Sequence, residues 1–131
     1  MAITVEFFDA EFKQKDKKTE KQQRSSDKPD YKLCCAVCAV NITDNKFQTK
    51  IEGRHTHIKV NPVNQRFFIR CFTTVENCII SGEKTTFNSW FQGYQWQYTH
   101  CTHCLTQLGW YFAGVSSFYG LIEDKLVICD R

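Results

Sequence analysis

Residues 89–112 read SWFQGYQWQYTHCTHCLTQLGWYF, and this stretch decides the fold because it joins a cysteine pair to three tryptophans. Cys101 and Cys104 form a C-x-x-C pair, and a second pair, Cys35 and Cys38, lies far upstream. A C-x-x-C turn places two thiolates on one side of a knuckle, and two knuckles complete a tetrahedral four-sulfur site. The spacing therefore predicts one metal ion held by these four cysteines. Zinc suits this ligand set because it accepts soft sulfur donors.

The predicted metal site is structural rather than catalytic. Sulfur fills all four coordination positions, which leaves none for the water that catalytic zinc sites keep. In small zinc-dependent folds the bound ion contributes about 10–16 kcal/mol of apparent free energy, which matters for a chain with one modest core. Three other interpretations stay open on spacing alone. They are His100 or His103 replacing one sulfur, a redox C-x-x-C, and a disulfide framework of all eight cysteines.

Four cysteines fall outside the two pairs: Cys34, Cys71, Cys78 and Cys129. Their simplest role is that of buried thiols, which pack as small hydrophobic side chains. In an oxidising compartment we expect a bridge between Cys71 and Cys78. The sequence leaves the redox state and the compartment unassigned, with an intracellular location as the default. The glycosylation sequon Asn41-Ile42-Thr43 matters only on the secretory path.

The composition indicates one small domain with an N-terminal extension. The chain has 131 residues and a formal charge of +3, too small for the basic stripe that nucleic-acid binding needs. No apolar run approaches the ~20 residues that span a bilayer, so we expect no membrane segment. Residues 13–28 carry seven basic and three acidic residues and no apolar side chain. Residues 1–30 are therefore predicted to be an extension, flexible and basic over 13–28, and residues 31–131 a folded domain that is monomeric by default.

From Tyr31 onward the pattern is that of an all-β domain. Short runs rich in β-branched and aromatic residues alternate with turn residues such as Asn61-Pro62, Ser81-Gly82 and Gln92-Gly93. The predicted strands are His57–Val60, Phe67–Thr74, Asn77–Ile80, Ser89–Phe91, Tyr94–Tyr98, Trp110–Val115 and Lys125–Ile128. One short helix is expected at Ser116–Glu123.

The three tryptophans are the second feature that the fold must place. Trp90 and Trp96 lie symmetrically about Gly93, so a hairpin turning there would make them face each other across two strands. Trp110 and Phe112 alternate on one face of a later strand, just beyond the second cysteine pair. Three indoles that meet form either part of a core or a cage, and large aromatic rings more often form a core.

The charge pattern favours a cage for a neutral ligand. Between Glu83 and Glu123 there is no acidic residue, and Lys84 is the only lysine or arginine. A cage for a methylated ammonium would benefit from a nearby carboxylate beside its cation–π contacts. Neutral walls instead suit a flat or puckered ring with polar edges, oriented by a few backbone hydrogen bonds.

Six motifs in a fixed order identify the family that the chain resembles. They are Leu33-Cys34-Cys35-x-x-Cys38, Val60-Asn61-Pro62, Ser89-Trp90-Phe91-x-Gly93-Tyr94-x-Trp96, Cys101-x-x-Cys104, Gly109-Trp110-x-Phe112 and Phe118-x-Gly120-Leu121. In identity and spacing they closely resemble the CULT domain, the thalidomide-binding domain of cereblon. The resemblance runs from about residue 31 to residue 126.

The resemblance implies a β-tent, in which one structural zinc ion on the four cysteines pins two antiparallel sheets at an apex. It also implies a non-enzymatic module that holds a cyclic imide, a related lactam or an imide-bearing peptide end. Family members hold glutarimides in a cage of three tryptophans over a phenylalanine floor, with hydrogen bonds to the main chain just before the first cage tryptophan. The implied ligand-binding residues are Asn61, Phe87, Asn88, Ser89, Trp90, Trp96, Trp110 and Phe112.

The chain departs from the family at several points. Asn88 stands where cereblon has histidine, which removes a side-chain contact to the ligand, and Gln92 replaces the family's proline. Full cereblon also carries a Lon-like domain and a helical segment that docks onto a ubiquitin-ligase adaptor. This chain has no room for either, so we expect no adaptor site in it.

Two alternative functions remain. The first is a zinc-anchored module that binds a protein or a peptide terminus. The second is an oxidoreductase similar to the type B methionine sulfoxide reductases, which share the paired C-x-x-C site and a Leu-Gly-x-x-Phe stretch like residues 108–112. Their nucleophilic cysteine would fall at Tyr119-Gly120, and their catalytic-site histidine is replaced by Trp110. The sequence therefore predicts no catalytic residue.

Overall fold

The computed structural model describes residues 29–130, and nine β-strands form their framework. The strands are β1 Lys32–Cys35, β2 Asn41–Asp44, β3 Thr56–Val60, β4 Arg66–Phe72, β5 Cys78–Thr85, β6 Gln95–Cys101, β7 Gln107–Ala113, β8 Ser117–Ile122 and β9 Leu126–Asp130. Single 3-10 turns, Asn45–Phe47 and Glu123–Lys125, follow β2 and β8. No helix within 29–130 is long and apolar enough to cross a membrane. The predicted extension lies outside the described residues apart from Pro29 and Asp30.

The strands form two antiparallel sheets, which confirms the predicted all-β architecture. Strands β2, β1 and β9 make a small sheet in that order, and the large sheet has the order β3-β4-β8-β7-β6-β5. Strand β8 lies in the middle of the large sheet, where Gly120 is opposite Cys71 of β4 and Trp110 of β7. The first and last strands of the domain pair with each other in the small sheet.

Two of the predicted elements are wrong. Asn88 (φ 56°) and Gly93 (φ 88°) turn the backbone on either side of Ser89–Phe91, so this segment is a loop between β5 and β6. The helix expected at Ser116–Glu123 is strand β8. A strand in the middle of a sheet is covered on both faces, so apolar and polar residues no longer alternate along it. The spacing of its apolar residues can then resemble that of a short helix.

The core consists of two hydrophobic clusters. The first lies beside the cysteine pairs and draws on both sheets, with Leu33, Cys35, Ile42, Phe72, Cys101, Leu108, Leu121 and Leu126. The second belongs to the large sheet and its loops, with Ile69, Cys71, Phe91, Trp110, Phe112, Phe118 and Ile122. The tryptophan region therefore rests on a core of its own, separate from the one that joins the sheets.

The structure corrects the expected disulfide pairing. Cys34 in β1 is bonded to Cys129 in β9, with the two Cα atoms 5.8 Å apart, whereas Cys71 and Cys78 are free. Three strands lie between β4 and β5, which places Cys71 and Cys78 roughly 19 Å apart across the sheet and prevents a bridge. Burial raises the pKa of both free thiols to about 12, so neither carries a thiolate near neutral pH. Of the four cysteines outside the two pairs, Cys71 is the buried free thiol that the sequence predicted, and Cys78 is half-buried.

Gly109 allows β7 to lie against β8 just before Trp110. A Cβ atom at this position would collide with the Gly120 carbonyl oxygen and lie 2.8 Å from the Leu121 Cα atom. Both obstacles are backbone atoms of a central strand, so neither can move aside as a flexible side chain would. The close approach therefore helps to fix the position of Trp110.

The substitution Gly109→Ala is expected to lower the free energy of unfolding by about 2–3 kcal/mol, because the methyl group must displace β8. Urea unfolding followed by circular dichroism measures this loss. Gly53→Ala is the matched control, since a Cβ there meets nothing within 4 Å and the φ of 84° carries only the left-handed penalty of about 1–2 kcal/mol. Equal losses in the two variants would contradict the close-approach explanation.

Candidate functional site

The two C-x-x-C pairs come together where the sheets meet. Cys35 ends β1 of the small sheet, Cys101 ends β6 of the large sheet, and Cys38 and Cys104 lie in the turns that follow. All four sulfur atoms lie within 4.8 Å of one another, and two pairs, Cys35–Cys104 and Cys38–Cys101, are 3.6 Å apart. A tetrahedral ion with metal–sulfur bonds of about 2.3 Å needs sulfurs about 3.8 Å apart, so the cluster fits one metal ion.

The ligand set consists of sulfur alone, so the alternatives with a histidine ligand are wrong. Neither His100 nor His103 belongs to the group of described side chains that could hold the ion. His103 contributes its main-chain N–H instead, which donates to Cys101 Sγ at 3.4 Å. A donor of this kind stabilises a thiolate without occupying a coordination position.

The ionisation of the cluster also fits a bound cation. Thr106 Oγ1 lies 3.1 Å from Cys104 Sγ, and hydrogen bonds with the Thr106 side chain and main chain, helped by the neighbouring sulfurs, outweigh desolvation and lower the pKa of Cys104 to about 6. A backbone hydrogen bond at Val40 lowers the pKa of Cys38, but desolvation and the neighbouring sulfurs outweigh it and raise that pKa to about 12. Four crowded sulfurs cannot all ionise without a positive charge among them. A metal ion supplies that charge and deprotonates its ligands.

A cavity of about 430 Å³ opens on the large sheet and its loops. Seven of the eight predicted ligand-binding residues line it: Asn61, Phe87, Asn88, Trp90, Trp96, Trp110 and Phe112. Ser89 does not. Its hydroxyl donates to the Phe91 carbonyl at 3.0 Å and accepts from the Phe91 N–H at 3.3 Å, so it stabilises the loop locally.

The walls of the cavity are aromatic rings in edge-to-face contact. The centroids of Trp90 and Trp110 are 4.7 Å apart at an interplanar angle of 73°, so these two indoles pack against each other. Trp90 and Trp96, by contrast, do not face each other across a hairpin. Trp90 lies in the loop before β6, and Trp96 pairs with Thr85 and Phe112 in the sheet.

Hydrogen bonds fix two of the indole rings to the main chain. Trp90 Nε1 donates to the Val60 carbonyl at 3.0 Å, and Trp96 Nε1 donates to the Phe87 carbonyl at 2.8 Å. The ring planes are therefore set before any ligand arrives. Because both N–H groups are already used, polar contacts to a ligand must come from other atoms.

The floor of the cavity is part of the second hydrophobic cluster. Phe112 is 1% exposed, stacks on Phe118 with centroids 4.9 Å apart, and meets the edge of Phe91 at 5.0 Å. Lys59 Nζ lies 4.7 Å from the Phe91 ring centroid, a cation–π contact that supports the cluster. This packing leaves Phe112 little freedom to move.

The lip of the cavity carries main-chain groups that are free to bind. Within residues 29–130, no hydrogen bond involves the N–H or carbonyl of Asn88 or the N–H of Trp90. Asn61, on the opposite loop, uses its side chain locally. Its Oδ1 accepts from the N–H groups of Val63 and Gln65 at 3.1 and 2.8 Å, which shapes the loop beside the cavity.

The cavity has six further lining residues that the sequence analysis did not identify: Pro62, Gln65, Phe67, Tyr98, Gln107 and Ile122. Phe67 adds a fourth aromatic wall, 5.2 Å from Trp110 and 5.9 Å from Trp90 by ring centroids. Its alternation with Ile69 and Cys71 in β4 is the signal that could have placed it on this face. None of the described lining residues carries a charge, in agreement with the neutral walls that the sequence predicted.

Comparison with known proteins identifies a relative. The chain is 28% identical to cereblon from Gallus gallus over 106 residues, 72% of its length, and 28% identical to cereblon from Xenopus tropicalis over 105 residues. A stretch of 54 residues is 45% identical to cereblon from Drosophila willistoni. The domain is therefore similar to part of cereblon. No protein-family model matches it. The matched region covers 24% of the first two relatives, so the chain spans about a quarter of their length.

In the cereblon-like domain, loss of one metal ligand is expected to release the ion. Cys104→Ser should lose most of its bound metal and unfold at a lower temperature, because the ion contributes about 10–16 kcal/mol in small metal-dependent folds. Inductively coupled plasma mass spectrometry of the desalted protein measures the metal, and circular dichroism follows unfolding.

Cys78→Ser is the matched control, since Cys78 is a free thiol that does not belong to the four-cysteine cluster. It should keep one metal ion per chain. A Cys104→Ser protein with full metal content after desalting would show that the four sulfurs do not form the site.

Proposed function

We propose that the cereblon-like domain is a non-catalytic receptor that holds a cyclic imide or a related lactam in the tryptophan-lined cavity. One observation carries this proposal. The cavity of about 430 Å³ has three indole walls, and its described lining residues include no charged side chain. A methylated ammonium would favour a carboxylate beside the rings, whereas a neutral ring needs packing surfaces and a few hydrogen-bonding groups.

The free main-chain groups at the lip match the edge of such a ligand. A cyclic imide presents one N–H between two carbonyls, so it needs one acceptor and at least one donor. Asn88 offers a carbonyl, and Asn88 and Trp90 offer N–H groups that have no partner within residues 29–130. The replacement of the family's histidine by Asn88 leaves these main-chain contacts in place and removes only a side-chain contact.

The fixed rings support tight packing on a small ligand. Trp90 and Trp96 are held by their own hydrogen bonds, and Phe112 is locked in the second cluster. A site that is already ordered loses little conformational entropy when a ligand enters. The ligand would therefore be selected by ring size and by the polarity of its edge.

We propose that the ion in the cysteine cluster is zinc and that its role is structural. Four thiolates form a soft, tetrahedral ligand set that suits zinc. The ligands Cys35, Cys38, Cys101 and Cys104 fill all four positions and leave none for a reacting water. Zinc at this site would join the two sheets and would take no part in a reaction.

The cysteines outside the four-cysteine cluster favour binding over catalysis. Cys71 lies in the second hydrophobic cluster, beneath the cavity. Burial raises its pKa to about 12, so it carries no thiolate near neutral pH. Cys129 is bonded to Cys34. The position of the reductase nucleophile is occupied by Tyr119 and Gly120. We therefore propose no oxidoreductase activity for the cavity.

A peptide terminus is the second candidate ligand, and the exposed rim of the cavity favours it. Phe87 is 72% exposed and Tyr98 is 40% exposed, so the aromatic lining continues onto the surface. A chain attached to a bound ring could lie across these side chains. A peptide that ends in a cyclic imide would satisfy both candidates.

The substitution Trp96→Ala is expected to weaken glutarimide binding by about 1–3 kcal/mol, or roughly 5- to 150-fold in Kd, because the ligand loses one packed wall. Isothermal titration calorimetry on the metal-loaded protein measures this change. Trp96→Phe is the matched control. It keeps an aromatic wall, loses the bond to the Phe87 carbonyl and part of the ring surface, and should bind more tightly than Trp96→Ala.

Two outcomes would count against the proposal. A folded, metal-loaded Trp96→Ala protein that binds glutarimide as tightly as the parent would remove the cage assignment. A parent protein that binds no glutarimide, yet binds a peptide terminus under the same conditions, would favour the interaction module.

A further inference from the structure

The sequon Asn41-Ile42-Thr43 is not used by the cavity or the cysteine cluster. It is the only Asn-x-Ser/Thr sequence in the chain, because none of the other asparagines is followed two residues later by serine or threonine. In the structure, Asn41 begins β2, an edge strand of the small sheet. Its side chain is exposed, whereas Ile42 and Thr43 are buried.

The Asn41 side chain leaves its amide nitrogen available. The Oδ1 atom lies 3.1 Å from Cys34 Sγ and 3.7 Å from Cys129 Sγ. The Nδ2 atom, to which a glycan would be attached, makes no hydrogen bond with the other described residues. The Thr43 hydroxyl donates to the Thr74 carbonyl at 2.6 Å, and this bond does not involve Asn41 Nδ2. A glycan on Nδ2 would therefore leave it intact.

The disulfide beside Asn41 is a second, independent observation. Cys34 and Cys129 are bonded across β1 and β9, and disulfides persist in oxidising compartments but are rare where glutathione keeps thiols reduced. N-linked glycans are attached to Asn-x-Ser/Thr in secreted proteins, which pass through an oxidising compartment. The sequon and the bridge therefore indicate the same cellular path, and they lie in direct contact.

We propose that Asn41 carries an N-linked glycan and that the domain matures in the oxidising secretory compartment. A lipid-linked oligosaccharide diphosphate is the donor. A bond forms between the sugar C1 atom and Asn41 Nδ2, the bond between C1 and the phosphate oxygen breaks, Nδ2 loses one proton, and the lipid diphosphate leaves. Cys34 and Cys129 are oxidised by exchange with an oxidoreductase disulfide, which accepts their two electrons and two protons.

The glycan would also protect the edge of the small sheet. Strand β2 pairs with β1 on one side only, and on its other side the segment before β5 covers it in part: the Ile42 carbonyl accepts from the Glu76 N–H, and the Asn41 carbonyl accepts from Asn77 Nδ2. Natural proteins block such edges with charges, prolines, bulges or covering segments. A hydrophilic glycan at the first residue of β2 would extend this cover while leaving the cavity on the large sheet open. The proposal is independent of the ligand that the cavity binds.

The direct test uses the protein recovered with an antibody from the cells that produce it. The sample is alkylated without reduction, treated with a peptide N-glycosidase and analysed by mass spectrometry. We expect residue 41 to appear as aspartate after glycosidase treatment, and the peptides of Cys34 and Cys129 to be linked. Recovery of unmodified Asn41 from the untreated sample, with no glycosylated form, would overturn the proposal.

A second experiment tests the acceptor with matched variants. The full chain is directed into the secretory path of eukaryotic cells by a cleavable signal, and its mobility is compared with and without the glycosidase. Thr43→Ser keeps the sequon and the buried hydroxyl, so it should retain the glycosidase-sensitive shift, whereas Asn41→Gln should lose it. A secreted, metal-loaded parent protein without this shift would also overturn the proposal.

Discussion

The four-cysteine cluster is the interaction on which the rest of the structure depends. Each sheet supplies one C-x-x-C pair, so an ion held by the four sulfurs would link two layers whose described residues share one hydrophobic cluster. The small sheet has three short strands of four or five residues, and its apolar side chains pack into the first hydrophobic cluster. We expect its stability to come from three sources: a metal ion in the four-cysteine cluster, the hydrophobic cluster that it shares with the large sheet, and the Cys34–Cys129 bond between two of its own strands.

The cluster also positions the cavity. Cys101 ends β6, and β7 begins soon after the second knuckle, so both strands extend from the metal site toward the tryptophans. Their register then sets Trp96 opposite Phe112 and Tyr98 opposite Trp110. One knuckle thus fixes the relative positions of two walls and the floor. Trp90 is the exception, because it lies on a loop and depends on its hydrogen bond to Val60.

The sequence predicts the parts of the site that depend on local spacing. The C-x-x-C pairs and the all-β pattern follow from short motifs and simple alternation. Two wrong predictions are local, the strand at Ser89–Phe91 and the helix at Ser116–Glu123, and the wrong disulfide concerns partners that are distant in the fold. Cys71 and Cys78 are close in the chain but separated by three strands, whereas Cys34 and Cys129 meet because the last strand returns to the first. Phe67 was missed for the same reason: only the pairing of β4 with β8 brings it beside the tryptophans.

The two bonded indole N–H groups have a consequence for motion. Trp90 is attached to Val60 at the end of β3, and Trp96 to Phe87 in the loop after β5, so each wall moves with a different surface segment. A molecule seated between the rings would restrain both segments at once, although it need not touch Val60. Restraint of this kind changes the conformational entropy of remote backbone without moving its average position. Binding in the cavity would therefore reduce the motion of two segments on the outer surface of the domain.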